Sequence, residues 1–136
     1  MSKFIEPDPE LEALVKVVVD AAYEVHHTLG PGYQEKVYEE ALAVELGLRD
    51  IPFARQVVVP VSYKGRMVGE GRLDLLIGGR LIVELKVVDK LLPLHTAQCI
   101  SYLKATRNPL ALLINFNSAL FKYGIRRVVY TKNLAS

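Results

Sequence analysis

The chain of 136 residues is long enough to bury a hydrophobic core and short for two domains, so we expect one domain over residues 1–136. Its 51% hydrophobic and 24% charged residues are usual for a globular protein, and the sequence predicts no membrane-spanning segment, no membrane partner and no signal peptide. The single cysteine, Cys99, excludes an internal disulfide and a cysteine zinc cluster, so we expect a cytoplasmic location, and the net charge of +2 permits nucleic-acid binding without arguing for it.

Two helices are predicted in the first third of the chain. Asp8-Pro9-Glu10 is typical of a helix start, with Asp8 as the N-cap and proline at the first helical position. Apolar residues then recur at helical spacing as far as Leu29, where Gly30-Pro31-Gly32 ends the helix. The second helix is predicted from Tyr33 to Leu46 and ends at Gly47.

The remainder alternates strand patterns with one helix pattern. Strands are predicted over Phe53 to Tyr63, Met67 to Ile77, Arg80 to Val88, Leu110 to Phe116 and Ile125 to Tyr130, and a third helix over Pro93 to Ala105. Leu110 to Phe116 is an apolar run apart from Asn115, as in a strand buried on both faces. The predicted order is α-α-β-β-β-α-β-β, an α/β arrangement.

The hairpin between the second and third strands has two conceivable registers. With a two-residue loop, Glu84 would lie opposite Leu73, so charged residues would share a face with leucines. With the three-residue loop Gly78-Gly79-Arg80, three apolar pairs form: Ile77 with Leu81, Leu75 with Val83, and Leu73 with Leu85. A slip of one residue moves every side chain to the opposite face, so the sequence predicts the longer loop.

The longer loop brings charged residues together on the opposite face. Asp74 would lie directly opposite Glu84, with Cβ atoms roughly 5 Å apart, and Lys86 would share their face. Two such carboxylates repel unless a proton or cation lies between them, and oxygen ligands favour Mg²⁺ or Mn²⁺. A metal next to a lysine suits phosphodiester hydrolysis. The alternative is a solvated face with a weak cross-strand pair, but the strand Leu81 to Val88 is otherwise apolar, which favours a functional role.

These residues resemble the PD-(D/E)xK motif of the restriction-endonuclease-like superfamily, with Asp74 followed by Glu84-Leu85-Lys86 at the end of a hairpin. More narrowly, Gly32-Tyr33-Gln34-Glu35-Lys36-Val37-Tyr38 resembles the signature of the small bacterial family of GxxExxY proteins. The further matches are Glu84-Leu85-Lys86, His95 to Gln98 and Leu112 to Asn117, so that the similarity extends from Val15 to Tyr130. One departure is that Leu73 stands where the motif has proline.

The resemblance implies a restriction-endonuclease-like α-β-β-β-α-β core, in which helices flank a mixed central sheet, with an extra N-terminal helix. It implies a catalytic set of Asp74, Glu84, Lys86, Gln98 and Glu35. The metal ligands would be Asp74, Glu84, Glu35 and the carbonyl of Leu85, with Mg²⁺ or Mn²⁺ as the cofactor. The substrate would be nucleic acid, DNA in preference to RNA, and the enzyme a possible homodimer.

Four further residues are candidates for contact with substrate. Arg72 is predicted on the face of Asp74, where it could contact a phosphate or neutralise the carboxylates. His95, Gln98 and Tyr102 share one face of the third helix by their spacing, and that face lies either at the site or in solvent. Tyr38 lies one turn after Glu35 and is equally consistent with core packing and with a wall of the site.

Two functions follow from these residues. The first is a metal-dependent nuclease that hydrolyses nucleic-acid phosphodiesters as an endonuclease or exonuclease. The alternative is a non-catalytic module that binds nucleic acid or protein and retains the nuclease fold. The intact set of Asp74, Glu84 and Lys86 favours the nuclease, whereas the small size of the chain, which leaves no room for a specificity domain, favours the module.

Overall fold

The computed structural model describes residues 7–130, so the residues at the N-terminus that bear on a signal peptide lie outside the described part. The helices are α1 (Pro9–Leu29), α2 (Glu35–Leu48), α3 (Pro93–Thr106) and α4 (Phe121–Gly124). The strands are β1 (Phe53–Tyr63), β2 (Arg66–Ile77), β3 (Leu81–Lys86), β4 (Leu110–Asn115) and β5 (Ile125–Val129). Each predicted helix and strand is present, and the short helix α4 was not predicted.

The five strands form one sheet in the order β1-β2-β3-β4-β5. β3 and β4 run parallel because α3 connects them by a crossover, and the other neighbours are antiparallel. Helices α1 and α2 cover one face of the sheet and α3 covers the other. This mixed sheet between helices, with an extra N-terminal helix, confirms the predicted α/β, restriction-endonuclease-like architecture.

The ends of the first two helices show how local sequence sets helix boundaries. The Asp8 carboxylate accepts the Leu11 N–H at 2.8 Å, and α1 ends at Gly30 with φ 69°, as predicted. Helix α2 begins two residues later than predicted because Gln34 is still extended. It also continues through Gly47, and the first left-handed residue after it is Asp50, with φ 56°.

Two hydrophobic cores lie on the two faces of the sheet. The α1/α2 core is formed by both helices and by the side chains of β2, β3 and β4 that face them, among them Leu75, Val83 and Ile114. The α3 core contains Leu103 from the helix and Ile82 and Leu113 from the sheet. Every residue of β4 is buried, which agrees with its apolar sequence from Leu110 to Ile114.

The predicted hairpin register is confirmed next to the turn. Ile77 pairs with Leu81 and Leu75 with Val83, and Gly78 and Gly79 both adopt positive φ angles. The predicted pair of Leu73 with Leu85 is wrong, because Leu73 packs in the α3 core whereas Leu85 packs in the α1/α2 core. Pairing between the backbones of β2 and β3 covers residues 75–77 and 81–83 only.

Asn115 at the end of β4 holds the segment that follows β3. Its side-chain oxygen accepts the Val88 N–H at 3.1 Å, and its amide donates to the Val88 carbonyl at 2.8 Å. The residue is 3% exposed, so these bonds replace backbone pairing that would otherwise be missing from the interior. β3 is also shorter than predicted, because strand pairing stops at Lys86. The Asn115 side chain holds the backbone at Val88 in place of a strand neighbour.

No helix within residues 7–130 is both long and apolar enough to cross a bilayer. The cytoplasmic location stays a prediction.

We expect Asn115→Ala to lower the free energy of unfolding by roughly 2–4 kcal/mol, because it removes both partners of Val88 in a part-buried position. Urea denaturation measures the loss. A matched control is Asn108→Ala, whose amide donates to the Thr106 hydroxyl where both residues are half-buried and whose loss is expected to cost less than about 1 kcal/mol. Equal effects of the two substitutions would contradict this role of Asn115.

Candidate active site between two strands

The candidate site begins where β2 and β3 stop pairing through their backbones. Beyond Leu75, the Asp74 N–H donates to the Glu84 carboxylate at 2.8 Å, and the Leu85 N–H donates to the Asp74 carboxylate at 2.8 Å. Two acidic side chains therefore take the places of two backbone acceptors. We call this opening between β2 and β3, lined by Asp74, Glu84 and Leu85, the notch.

In the β1–β2 hairpin, the side chains of both strands switch faces of the sheet at the level of the notch. Gln56 has φ 52°, and the β1–β2 pairing passes from Arg55 with Leu75 to Val57 with Leu73 without a pair between them. Arg55 bonds to α2, whereas Val57, two residues on, packs in the α3 core. A regular strand keeps residues two apart on one face. The switch of faces therefore explains why the Leu73 side chain lies on the opposite face from the predicted one.

The backbone carbonyl of Leu85 faces the notch. Successive residues of a strand direct their N–H and C=O groups to opposite edges. The Lys86 carbonyl accepts the Phe116 N–H on the β4 side, and the Leu85 N–H donates across the notch. The Leu85 carbonyl therefore shares the notch with the two carboxylates, where the resemblance predicts a metal ligand.

Helix α3 meets the site through Gln98. The Gln98 side-chain oxygen accepts a hydrogen bond from the Lys86 ammonium at 3.1 Å, which holds the flexible four-carbon side chain of Lys86 in one direction.

Cys99, the next residue, is fully buried in the α3 core, and burial raises the pKa of its thiol to about 12. The thiol is therefore protonated at neutral pH, as is usual for a cysteine packed in a core.

Helix α2 brings Glu35 to the opposite side of the notch. Glu35 is the first residue of the helix, and with Asp74 it lines a cleft of about 610 Å³ between α2 and the sheet. The other lining residues are Lys36, Glu39, Glu40, Arg55 and Gln56. The structure thus brings together all five residues predicted as catalytic, on α2, β2, β3 and α3.

Four residues that support the site were not predicted: Glu39, Glu40, Arg55 and Gln56. Arg55 bonds to Glu39 at 3.0 Å and, through both terminal nitrogens, to Glu40. The Gln56 amide donates to Glu39 at 2.8 Å, which offsets the cost of a left-handed, non-glycine residue. These bonds fix α2 against β1. The adjacent polar pair Arg55-Gln56, which breaks the alternation of a valine-rich strand, was the only local sign of them.

Burial and mutual repulsion govern the charges at the notch. Burial raises the pKa of Glu84 to about 8, and the Asp74 charge acts in the same direction. Burial also raises the pKa values of Asp74 and Glu35. The nearby Lys86 lowers all three pKa values without cancelling the rise. The site is therefore short of positive charge, and a proton or a cation stabilises it.

The residues predicted to contact substrate differ in their placement. Tyr38 is fully buried: its ring stacks on Phe116 at 4.7 Å and its hydroxyl donates to the Gly30 carbonyl, so it is packed as core and not open to a ligand. His95 accepts the Leu92 N–H at 2.9 Å and so caps its own helix.

The other two candidates are Tyr102 on α3 and Arg72 on β2. The Tyr102 ring packs against Gly71, where an added Cβ would come within 2.6 Å of it. Arg72 is exposed, two residues from Asp74, and stays a candidate for phosphate contact.

The chemistry of the notch fits a hard divalent cation. Within residues 7–130, no three side chains of His, Cys, Asp or Glu already converge as a complete metal site. The set is instead two carboxylates, each with one oxygen fixed by a backbone N–H, one backbone carbonyl, and Glu35 across the cleft. Oxygen ligands of this kind, with water completing the shell, are what Mg²⁺ and Mn²⁺ prefer.

Comparison with known proteins points to one family. The family model described as the PD-(D/E)XK nuclease superfamily matches residues 12–128, a range that contains every residue of the candidate site. No curated protein matches the chain. The narrower resemblance to GxxExxY proteins stays a prediction.

We expect the metal-free protein to lose stability as the pH rises from about 4.5 to about 8. Glu84 ionises near 4.5 in the unfolded chain and near 8 in the folded one. Across this window the folded chain binds the extra proton, so rising pH favours unfolding, by a few kcal/mol at most since one pKa unit corresponds to about 1.4 kcal/mol. Urea denaturation in the presence of a chelator measures the slope.

Glu84→Gln removes this ionisation and should flatten the pH dependence. The control Glu24→Gln changes an exposed glutamate on α1 and should leave the slope unchanged. A wild-type curve as flat as that of Glu84→Gln would contradict the assignment.

Proposed function

The chain belongs to the PD-(D/E)XK nuclease superfamily, and from that premise we propose that it is a metal-dependent nuclease that hydrolyses phosphodiester bonds of nucleic acid. Asp74, Glu84 and the Leu85 carbonyl would hold a single Mg²⁺ or Mn²⁺, with Glu35 on α2 as a further ligand. Lys86 and Gln98 complete the proposed catalytic set. The substrate is proposed to be DNA in preference to RNA.

The exchange of hydrogen bonds across the notch is the observation that carries the proposal. A structural ion pair would place an acid beside a base, but here two acids lie together, and Glu84 is only 3% exposed while Asp74 is half-buried. Holding two like charges out of water is costly unless a ligand relieves it. A divalent cation would relieve it and would also supply the charge that attracts a phosphodiester.

Each residue of the set has a definite task in this proposal. The bound metal would polarise the phosphodiester and favour ionisation of an attacking water. Asp74 and Glu84 fix the ligand positions because the opposing backbone holds one oxygen of each. The Lys86 ammonium offers a positive charge where negative charge develops on the phosphate. Gln98 acts through Lys86 as a positioning residue, since it accepts the lysine hydrogen bond.

A homodimer is the proposed assembly, because two sites related by a two-fold axis would suit cleavage of both strands of a duplex. The alternative function is a non-catalytic binding module with the same fold. It predicts that nucleic acid binds without turnover in any metal.

We expect Glu84→Ala and Lys86→Ala each to lower Mg²⁺-dependent cleavage of DNA at least about a hundredfold, because the first removes a proposed metal ligand and the second removes the positive charge next to the reacting phosphate. A chelator should abolish the wild-type activity. Cleavage of labelled single-stranded and duplex DNA, followed on gels, measures both effects. Thermal unfolding checks that the variants are folded.

Metal titration separates the two proposed roles. In calorimetry with Mn²⁺, Asp74→Ala should lose binding whereas Lys86→Ala should retain it, because only the carboxylate is a ligand. Lys122→Ala, at an exposed lysine on α4, is the control for activity and binding. A wild-type protein that cuts neither DNA nor RNA with Mg²⁺ or Mn²⁺ would overturn the proposed activity and leave the binding module.

Gln98→Ala should lower kcat about tenfold with little change in KM, because it frees the lysine that acts in the transition state without removing a substrate contact. Ser101→Ala on the same helix, whose hydroxyl donates to the Ala97 carbonyl, is the matched control. Both residues are exposed, so unfolding midpoints should not move. A change in KM alone would show that Gln98 contacts substrate and does not position Lys86.

A further inference from the structure

The β1–β2 hairpin is much longer than the strand beside it. β3 pairs with residues 75–77 only, whereas β1 and β2 remain paired as far as Tyr63 and Arg66. We call residues 58–72 the arm. At about 3.3 Å per residue, its tip at Arg66 lies about 25 Å along β2 from Asp74, so the arm extends well beyond the notch.

One side of the arm is anchored at its base. Val59 is 2% exposed and packs in the α3 core. Gly71, its partner on β2, lies so close to Tyr102 that a Cβ there would come within 2.6 Å of the ring. The arm is therefore held in a fixed direction by α3.

The rest of the arm is open to solvent and unusually apolar. Its large exposed apolar side chains are Val58, Val61, Tyr63, Met67 and Val68, each between 43% and 68% exposed. Large apolar side chains that stay exposed together along one hairpin favour an interaction surface.

The arm is also basic. Lys64, Arg66 and Arg72 are exposed, and Glu70 is its one acid. Within the described residues 7–130 none of the three cations forms an ion pair, whereas the other two arginines on β1 and on the β2–β3 turn, Arg55 and Arg80, are held by carboxylates. These charges are left for a partner.

We propose that the arm binds a groove of a nucleic-acid duplex and so makes double-stranded DNA the substrate. This inference rests on the proposed nuclease function and specifies its substrate class. A two-stranded β-ribbon fits the major groove, and about 25 Å corresponds to roughly seven base pairs at 3.4 Å each. The apolar tip residues can contact sugars and thymine methyl groups while Lys64 and Arg66 contact phosphates.

Continuity with the notch favours DNA over a second copy of the chain. The anchored side of the arm faces α3, so Arg72 lies on the opposite side, two residues from Asp74. A duplex along the arm would therefore pass its backbone over Arg72 to the carboxylates. Two arms packed on each other would instead bring like charges together without a polyanion to neutralise them.

The test uses two arm variants in a Lys86→Ala background, which is expected to slow cleavage and leaves the arm unchanged. In the first, residues 62–68 are replaced by Asn-Gly, which joins Val61 to Gly69 as a two-residue turn at a position where these residues pair. In the second, Lys64 and Arg66 are both changed to Glu, which keeps the hairpin length. The control changes Lys16 and Lys122 to Glu, two exposed lysines on α1 and α4.

Fluorescence anisotropy with a short labelled DNA duplex, and with one of its strands, gives the affinities. We expect the unaltered arm to bind the duplex at least about tenfold more tightly than the single strand. Both arm variants should lose that preference, and the charge variant should lower the salt slope by about two. The control should stay within about twofold for both probes.

Several results would overturn the proposal. Equal affinity for duplex and single strand with the arm intact would do so, as would unchanged duplex affinity in both variants. If sedimentation showed that shortening the arm dissociates a dimer while duplex affinity is unchanged, the partner would be a second copy. The charge variant keeps the test valid if the shortened chain does not fold.

The nuclease proposal is tested separately on the same variants with Lys86 restored. With Mg²⁺ the chain with an unaltered arm should cleave duplex DNA, and shortening the arm should lower that cleavage. If cleavage persists when the arm is shortened and duplex affinity does not depend on the arm, the arm proposal fails and the nuclease stands. If duplex binding depends on the arm but no variant and no wild type cleaves DNA, the nuclease fails and the arm remains a binding element.

Discussion

The candidate site depends on two carboxylates, those of Asp74 and Glu84, which take the place of backbone carbonyls as hydrogen-bond acceptors between β2 and β3. Asp74 and Glu84 each accept an N–H from the opposing strand, and for that reason β2 and β3 separate beyond Leu75 without leaving buried N–H groups unpaired. The separation creates the notch and turns the Leu85 carbonyl into it. It also allows the β1–β2 hairpin to leave the sheet, which is what makes the arm possible.

The same interaction makes the site costly in the absence of a ligand. Burial and repulsion raise the pKa values of Asp74, Glu84 and Glu35 together, and Lys86 offsets only part of the repulsion. The structure around them compensates: Arg55 bonds to the carboxylates of α2, and two large cores hold the sheet on both faces. Stability lost at an active site is commonly recovered elsewhere in this way.

Particular residues show where prediction from sequence succeeded and where it failed. The hairpin loop could be predicted because Leu75, Ile77, Leu81 and Val83 had to share a face, and a slip would have exposed them all. The predicted pairing of Leu73 was wrong because the face on which Leu73 lies depends on Gln56. The left-handed backbone of Gln56 is stabilised by Glu39, a residue on another element. The sequence did not decide whether Tyr38 belongs to the core or to a wall of the site. Its stacking on Phe116 in the structure shows that it is packed as core.

The sequence by itself determined the order of the helices and strands, the register next to the hairpin turn, and the gathering of Asp74, Glu84 and Lys86, because periodicity and turn residues act over short distances. It also pointed to Glu35 and Gln98 through a family resemblance. Only the tertiary structure decided that β2 and β3 part at the carboxylates, that Arg55 and Gln56 support α2, and that residues 58–72 extend past the sheet. Each of these depends on contacts between elements far apart in the chain, which no local pattern records.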